Sequence, residues 1–257
     1  KGAIAFVSQS GALISSLLDI ANTRGIGFSK IVSVGNKALI TEHELLPYLF
    51  EDEQTKVILL YAEVLHDAQE FISLLRQNQQ SSHPKPVVLL KAGVSTAGQK
   101  ASSSHTGSLA GSDAAYEALV AQAGIIRVKT VNELLNAAHL LSLSPLPTNN
   151  QIAIITNAGG PGIIATDEAE RTGLNLASFT EDTKKLLSEA LPAASHVSNP
   201  VDVLGDATSE RYTKALNAAG SDQNVGSIIT IVTPQSMTDI PETAQAIVQA
   251  HTSFHKP

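Results

Sequence analysis

The chain has 257 residues, a net charge of −7, 43% hydrophobic but only 4% aromatic residues, and no cysteine. The lack of cysteine excludes disulfides, thiol nucleophiles and thiolate metal sites, and the lack of a basic run argues against nucleic acid as a partner. No apolar run has membrane-spanning length and no signal peptide opens the chain, so we expect a cytoplasmic protein without a membrane partner.

Short apolar runs alternate with amphipathic segments of helical period. In the first half, strands are predicted near Ala3–Val7, Ile31–Val34, Val57–Tyr61, Val87–Leu90 and Ile126–Val128. Helices are predicted near Gly11–Thr23, Glu42–Glu51, Ala68–Gln79, Asp113–Ala123 and Val131–Leu141. Because aromatic residues are scarce, the core must consist of Ala, Val, Ile and Leu, which favours α/β layers with parallel strands buried on both faces.

A stretch rich in Pro, Ser and Asn predicts a linker at residues 145–150, between a first domain at 1–144 and a second at 151–257. In the second domain, strands are predicted near Ile152–Thr156 and Ser227–Val232, and helices near Gly162–Arg171, Glu181–Leu191, Arg211–Ala219 and Pro241–Thr252. A Lys-Pro pair leads into a strand at Lys85–Pro86 and recurs at Lys256–Pro257. We therefore expect a fragment of a longer polypeptide, with its second domain truncated at the C-terminus.

Strand–helix alternation with short connections indicates right-handed βαβ crossovers and parallel sheets. Each half opens with a strand, a glycine-rich turn and a long helix. The predicted fold class is therefore α/β, with two flavodoxin-like doubly wound parallel-sheet domains.

Glycine-rich turns join the first strand to the first helix in both halves. A turn of small residues exposes backbone N–H groups at a helix N-terminus, where the aligned peptide dipoles favour an anion. The predicted phosphate-binding residues are Ser8, Ser10, Gly11, Gly159, Gly160 and Gly162. Alternatively, the glycines only permit tight turns. Two equivalent turns at carboxyl ends of strands favour a binding site, and two helix N-termini can point at one phosphate if the domains face each other.

His105 lies among small hydroxyl residues and glycines at 101–113, which predicts a mobile surface loop. Its ring nitrogens can carry a proton, a metal or a phosphoryl group. Glu63 follows an apolar strand at its carboxyl end, and it can accept a hydrogen bond from one ring nitrogen of His105. Alternatively, His105 is a solvated loop residue and Glu63 a surface carboxylate. The histidines have no ligand-like spacing, so no metal site is expected.

Five motifs, taken together and in this order, resemble the NDP-forming acyl-CoA synthetases. They are SQSGAL at 8–13, VGNKA at 34–38, SHTG running to GSD at 104–113, TNAGGPG at 156–162 and NPVD at 199–202. ADP-forming acetyl-CoA synthetase is the nearest class in this family, and succinyl-CoA synthetase is similar in design but more distant. One departure is Leu39, where the family usually has an acidic residue.

The resemblance implies a ligase that interconverts acyl-CoA, ADP and phosphate with a carboxylate, CoA and ATP through a phosphohistidine. It implies that His105 is phosphorylated, that Glu63 orients it, and that both turns bind the phosphoryl group. Asn157 and Asn199 are assigned to the substrate side. The resemblance also implies that this chain binds no cofactor beyond phosphate. Mg-ATP or ADP and CoA would bind the ATP-grasp and CoA-binding domains of the same polypeptide, so this chain alone should not complete the reaction.

Two other functions are compatible with the fold. One is a synthetase-like regulatory region of a protein acetyltransferase, which senses acyl-CoA without turnover; the retained His105 favours catalysis instead. The other is a flavin-binding domain, which the low aromatic content disfavours. A homo-oligomer is compatible with the sequence.

Overall fold

The computed structural model describes residues 1–35, 37, 40–65, 67–106 and 113–257, and for residues 102–106 it describes the backbone alone. The chain divides into two compact units, Lys1–Leu143 and Ser144–Pro257. No helix in the described ranges is long and apolar enough to cross a lipid bilayer.

The first unit is a parallel sheet covered by helices. Its strands are β1 (Ile4–Ser8), β2 (Phe28–Ser33), β3 (Val57–Ala62), β4 (Val87–Lys91) and β5 (Ile126–Val128). Its helices are α1 (Gly11–Thr23), α2 (Glu42–Glu51), α3 (Ala68–Gln79), α4 (Thr96–Thr106), α5 (Asp113–Ala123) and α6 (Val131–Leu143). The strand order β2-β1-β3-β4-β5 is that of flavodoxin-like domains, which confirms the predicted fold class.

The second unit is a smaller parallel sheet built around its first strand. Its strands are β6 (Gln151–Thr156), β7 (Asn175–Leu176), β8 (Val201–Asp202) and β9 (Ser227–Ile231). Its helices are α7 (Gly159–Arg171), α8 (Glu181–Ala190), α9 (Ser209–Ser221) and α10 (Ile240–Ser253). β9 pairs along the length of β6, whereas β7 pairs with the start and β8 with the end of the same strand. The predicted α/β class is confirmed here too.

The central strands of the first sheet are buried on both faces, as the apolar runs predict. Alternate residues contribute to two core clusters, one on each side of the sheet. One cluster contains Ala5, Val7, Ile58 and Leu60, and the other contains Ile4, Phe6, Val57 and Leu59. Two layers of helices therefore hold the sheet rigid, and the strand ends become fixed positions for functional side chains.

One helix replaces part of a predicted loop. The sequence predicts a mobile loop around His105, but residues 96–106 form α4. Ser95 starts this helix, because its hydroxyl accepts from the Gly98 N–H at 3.0 Å and its carbonyl accepts from the Gln99 N–H at 2.8 Å. The loop prediction is wrong for these residues because it relies on apolar periodicity, which α4 lacks. The rest of the predicted loop, 107–112, lies outside the described residues, as does Leu39.

Candidate active site

The carboxyl ends of three neighbouring strands bring candidate residues of the first unit to one edge of its sheet. β3 lies between β1 and β4, and all three strands are parallel. The chain leaves β1 through the turn at 8–11, leaves β3 at Glu63, and leaves β4 through residues 92–95 into α4. Doubly wound sheets bind ligands at this edge. His105 lies in the last turn of α4, and its side chain falls outside the described part of the structure.

The Ser8 hydroxyl shapes the first turn from inside. Ser8 is fully buried, and its Oγ donates to the Ser10 carbonyl at 2.8 Å and accepts from the Ser10 N–H at 3.0 Å. The Ser10 hydroxyl caps α1 by accepting from the Leu13 N–H at 3.2 Å. Because a hydroxyl has one hydrogen, that of Ser8 is committed to the turn, whereas Ser10 can still donate to a ligand. Gly11, the first helical residue, is exposed.

The second turn has the same internal hydrogen bonds but no side-chain cap. Thr156 ends β6, and its Oγ1 donates to the Ala158 carbonyl at 2.9 Å and accepts from the Ala158 N–H at 3.1 Å. Ala158 is the N-cap residue of α7 and has no side-chain oxygen, so it cannot cap the first N–H groups of the helix. Gly159 and Gly160 are exposed at this end. Gly162 is buried, and a Cβ on it would lie 3.0 Å from Thr156 Cγ2.

A carboxylate lies beside the uncapped end of α7. A Cβ on Gly159 would lie 3.9 Å from Asp202 Oδ2, whereas a Cβ on Gly11 in the first unit would lie 3.8 Å from the neutral Ser33 Oγ. A negative charge near a helix N-terminus is favourable, but it also repels a second anion. Phosphate binding at the second turn must therefore overcome the charge of Asp202.

Glu63 is buried where β3 ends, with 8% of its surface exposed. Its backbone N–H donates to Gln9 Oε1 at 2.8 Å. Burial raises the pKa of the Tyr61 hydroxyl, and the charge of Glu63 and a side-chain hydrogen bond with it raise that pKa further. A buried carboxylate on a fixed backbone can orient an imidazole, which is the role that the resemblance gives to Glu63.

Lys91, which the sequence analysis does not single out, ends β4 at the same edge. It is 5% exposed, and its Nζ donates to the next residue's carbonyl and lies 4.5 Å from the centre of the Tyr116 ring. Burial, helped by the nearby charge of Arg127, lowers the pKa of this lysine to about 8, although the charges of Asp113 and Glu63 partly oppose the shift. A charged residue directly after an apolar run is the sequence signal that indicates it.

The two asparagines predicted on the substrate side both bind the backbone. Asn157 Oδ1 accepts from the N–H of Thr233 at 2.8 Å and from its hydroxyl at 2.9 Å, and Asn157 Nδ2 donates to the Thr233 carbonyl at 2.9 Å. Asn199 fills the gap between β7 and β8 beside β6. Its Oδ1 accepts from the Ile154 N–H at 2.9 Å, and its Nδ2 donates to two carbonyls at 2.7 and 3.1 Å. Both carboxamides hold the second sheet together, which is a structural role.

Both units match known families of ligase domains. Residues 1–141 match the family described as succinyl-CoA ligase like flavodoxin domain, and residues 152–252 match the ligase-CoA domain family. The chain therefore belongs to the succinyl-CoA ligase-like family of NDP-forming acyl-CoA synthetases that its motifs resemble.

Two individual relatives have names that are more specific than the family description. ADP-forming acetate–CoA ligase I of Archaeoglobus fulgidus is 46% identical over 248 residues, which are 96% of this chain and 36% of the relative. ADP-forming 4-hydroxybutyrate–CoA ligase of Nitrosopumilus maritimus is 42% identical over 256 residues, which are 100% of this chain and 36% of the relative. The chain thus spans 36% of the length of both. Both names are those of ADP-forming acyl-CoA ligases, and neither supports the regulatory alternative.

A solved structure has the same fold over the whole chain. It is the dinucleotide-forming acetyl-coenzyme A synthetase 1 of Ca. Korarchaeum cryptofilum, in complex with phosphate and ADP. The likeness covers 100% of this chain and 56% of that one, with 33% identity and a TM-score of 0.93.

Proposed function

We propose that this chain carries the phosphohistidine step of an ADP-forming acyl-CoA synthetase, in which His105 is phosphorylated and Glu63 orients its imidazole. One observation carries the proposal. Glu63 is buried at the carboxyl end of β3, and the neighbouring strand β4 leads into α4, the helix that contains His105. The relatives named above support the reaction class, since both are ADP-forming acyl-CoA ligases.

The chemistry consists of three substitutions that balance. A phosphate oxygen attacks the thioester carbonyl, the C–S bond breaks, and CoA leaves as the protonated thiol, which yields an acyl phosphate. A ring nitrogen of His105 then attacks phosphorus, the bond from phosphorus to the acyl oxygen breaks, and the carboxylate leaves. Finally, a terminal oxygen of ADP attacks phosphorus, which forms ATP and restores the free imidazole. Because the phosphoryl group passes first to His105 and then to ADP, the acyl chemistry is separated from the nucleotide chemistry.

Within this scheme Glu63 sets the protonation of His105. By accepting a hydrogen bond from one ring N–H, the carboxylate leaves the other nitrogen unprotonated and nucleophilic, and it stabilises the positive charge of the ring after phosphoryl transfer. The N-terminus of α1, with the Ser10 hydroxyl, and the N-terminus of α7 each supply backbone N–H groups that suit phosphate.

We further propose that Mg-ATP or ADP and CoA bind to regions outside these residues. The support is the length of the relatives, of which this chain spans 36%. In this proposal the chain itself binds phosphate and the acyl group.

The test uses the natural polypeptide that carries this sequence, incubated with magnesium and ATP labelled at the γ-phosphate. We expect acid-labile, alkali-stable label on the wild-type protein and none on His105→Asn. The matched control is His139→Asn, which replaces an exposed histidine of α6 and should keep the label. Label that persists in His105→Asn contradicts the proposal. A folded wild-type protein without label also contradicts it, and would favour the regulatory, acyl-CoA-sensing alternative.

A further inference from the structure

The Gln9 carboxamide joins the first turn to the segment that carries Glu63. Its Oε1 accepts from the N–H groups of Glu63 at 2.8 Å and Val64 at 3.1 Å, and its Nε2 donates to the Val64 carbonyl at 2.7 Å. The paired register of β1 and β3 ends at Ser8 and Tyr61, directly before these contacts. A carboxamide has the donor and acceptor of a peptide group, so Gln9 extends the ladder with its side chain.

Lys37 holds the same carbonyl in place. Its Nζ donates to the Val64 carbonyl and to Glu42 Oε1, both at 2.6 Å. The side chains of Lys37 and Glu42 are each 3% exposed, and Glu42 opens α2, so this ion pair ties the segment after β3 to a helix. Breaking a buried ion pair is costly, because it leaves an uncompensated charge inside the protein. The Val64 carbonyl is therefore fixed by two donors.

In the second unit a carboxamide also follows the first strand and binds the residue after the neighbouring strand, but that residue is a different one. Asn157 occupies the place of Gln9, and its carboxamide makes three hydrogen bonds to Thr233. In the register of the two sheets, Glu63 and Thr233 are equivalent, since each lies two residues beyond the partner of the last residue in β1 or β6. The carboxamide thus fixes the residue that follows the neighbouring strand, and in the first unit this residue is the buried Glu63.

We infer that Gln9 is a positioning residue that acts through Glu63 by fixing the backbone around it. This inference rests on the proposed function, in which Glu63 orients His105. Without the Gln9 carboxamide, the N–H groups of Glu63 and Val64 lose their acceptor, and the end of β3 has to shift to find another. A misplacement of about 1 Å in a group that orients a reactant lowers rates by about 10- to 100-fold.

The test is a double-mutant cycle on the rate of single-turnover phosphorylation. Gln9→Met keeps the length of the side chain and removes its hydrogen bonds. We expect a rate about tenfold lower in the wild-type background. In the Glu63→Ala background we expect a change below about twofold, because no side chain then remains at this position to orient His105.

Asn78→Leu is the matched control. Asn78 is a buried carboxamide of α3 that donates to the Lys85 carbonyl at 2.8 Å and accepts from the Lys85 N–H at 3.1 Å, at the amino end of β4. The Asn78→Leu substitution should lower the stability of the protein as Gln9→Met does, yet His105 should be phosphorylated at the wild-type rate. Amide hydrogen exchange gives a second readout, since Glu63 and Val64 should exchange faster in Gln9→Met and unchanged in Asn78→Leu.

Gln9→Glu is a second variant in case Gln9→Met does not fold; it keeps both acceptor contacts and replaces the donor to the Val64 carbonyl with a carboxylate oxygen that repels this carbonyl. Its loss of rate should also disappear in the Glu63→Ala background. Equal losses in both backgrounds, or a folded Gln9→Met protein with the wild-type rate, would overturn the inference. A wild-type protein that takes no label would contradict the proposed function instead, and hydrogen exchange would then decide separately whether Gln9 holds Glu63.

Discussion

The two strand-to-helix turns share their inner hydrogen bonds and differ in what they present outward. In each unit a hydroxyl residue closes the turn, and the next residue, a carboxamide, holds the neighbouring strand. These residues are Ser8 and Gln9 in the first unit, and Thr156 and Asn157 in the second. The third position differs, because Ser10 caps α1, whereas Ala158 leaves α7 without a side-chain cap.

The backbone repeats beyond the turns as well. α1 and α7 both have 13 residues, and each is followed two residues later by a glycine with positive φ, Gly25 or Gly173. The charges do not repeat. The described part of the first unit buries Glu42, Glu63 and Lys91 at its carboxyl edge, whereas the second unit buries only Asp222 among its charged residues. One backbone frame therefore occurs twice, and the side chains at the strand ends decide what each copy can do.

The largest effect that this comparison predicts is at Glu63. Glu63→Gln should lower the single-turnover rate of His105 phosphorylation by about 100-fold without abolishing it, because the neutral amide orients the imidazole but cannot stabilise its charge. The equivalent change in the second unit is Thr233→Val. A similar loss of rate in Thr233→Val, measured with the same labelled ATP, would contradict the functional difference between the two strand ends.

The next largest effect is on the free energy of unfolding and comes from the buried charge of Lys91. Burial holds the pKa of Lys91 at about 8 in the folded state, against 10.5 for an ordinary lysine, so between these values the unfolded chain binds more protons. The cost of burying the charge is therefore fully present below pH 8 and is relieved as the pH rises toward 10.5. Lys91→Met should raise the free energy of unfolding at pH 7 by about 1–2 kcal/mol.

Urea unfolding of Lys91→Met and the wild-type protein across this pH range checks the sign. The advantage of the variant should shrink as the pH rises above 8. A constant difference between pH 7 and pH 10.5 would show that Lys91 is charged at no cost in the folded state.

The smallest predicted effects come from exchanging the N-cap residues of α1 and α7, Ser10 and Ala158. Ser10→Ala should lower the free energy of unfolding by about 1 kcal/mol, because the Leu13 N–H loses its acceptor. Ala158→Ser should stabilise α7 by a similar or smaller amount and should weaken phosphate binding at the second turn, since the new hydroxyl occupies an N–H group. Urea unfolding and phosphate titration measure the two effects, and tighter phosphate binding by Ala158→Ser would contradict the account of the uncapped helix.

Local signals made much of this fold predictable. The bounds of α1, α2, α3 and α5 agree with the prediction, because apolar periodicity and capping residues mark their ends. β7 and β8 were not predicted, since strands of two residues have no periodicity. α4 has a capping serine but no apolar stripe, which explains why its sequence indicates a loop.

The site was predictable only where its signals are local. Glycine-rich turns and Glu63 stand out at strand ends, whereas the contacts of Gln9 and Asn157 join residues that are 54 and 76 positions apart. No spacing rule relates such residues until the sheet order is known. The sequence motifs therefore assign Asn157 and Asn199 to the substrate side, whereas the backbone contacts of their carboxamides follow from the sheet order.

In the proposed reaction His105 carries the phosphoryl group, so the decisive experiment locates that group on the protein. The natural polypeptide that carries this sequence would be incubated with magnesium and ATP, digested at neutral to alkaline pH, and its phosphopeptides sequenced by mass spectrometry. We expect the modification on the peptide that contains His105, with fragment ions that assign it to the imidazole. Phosphate on another residue, or unmodified protein after incubation, would contradict the account.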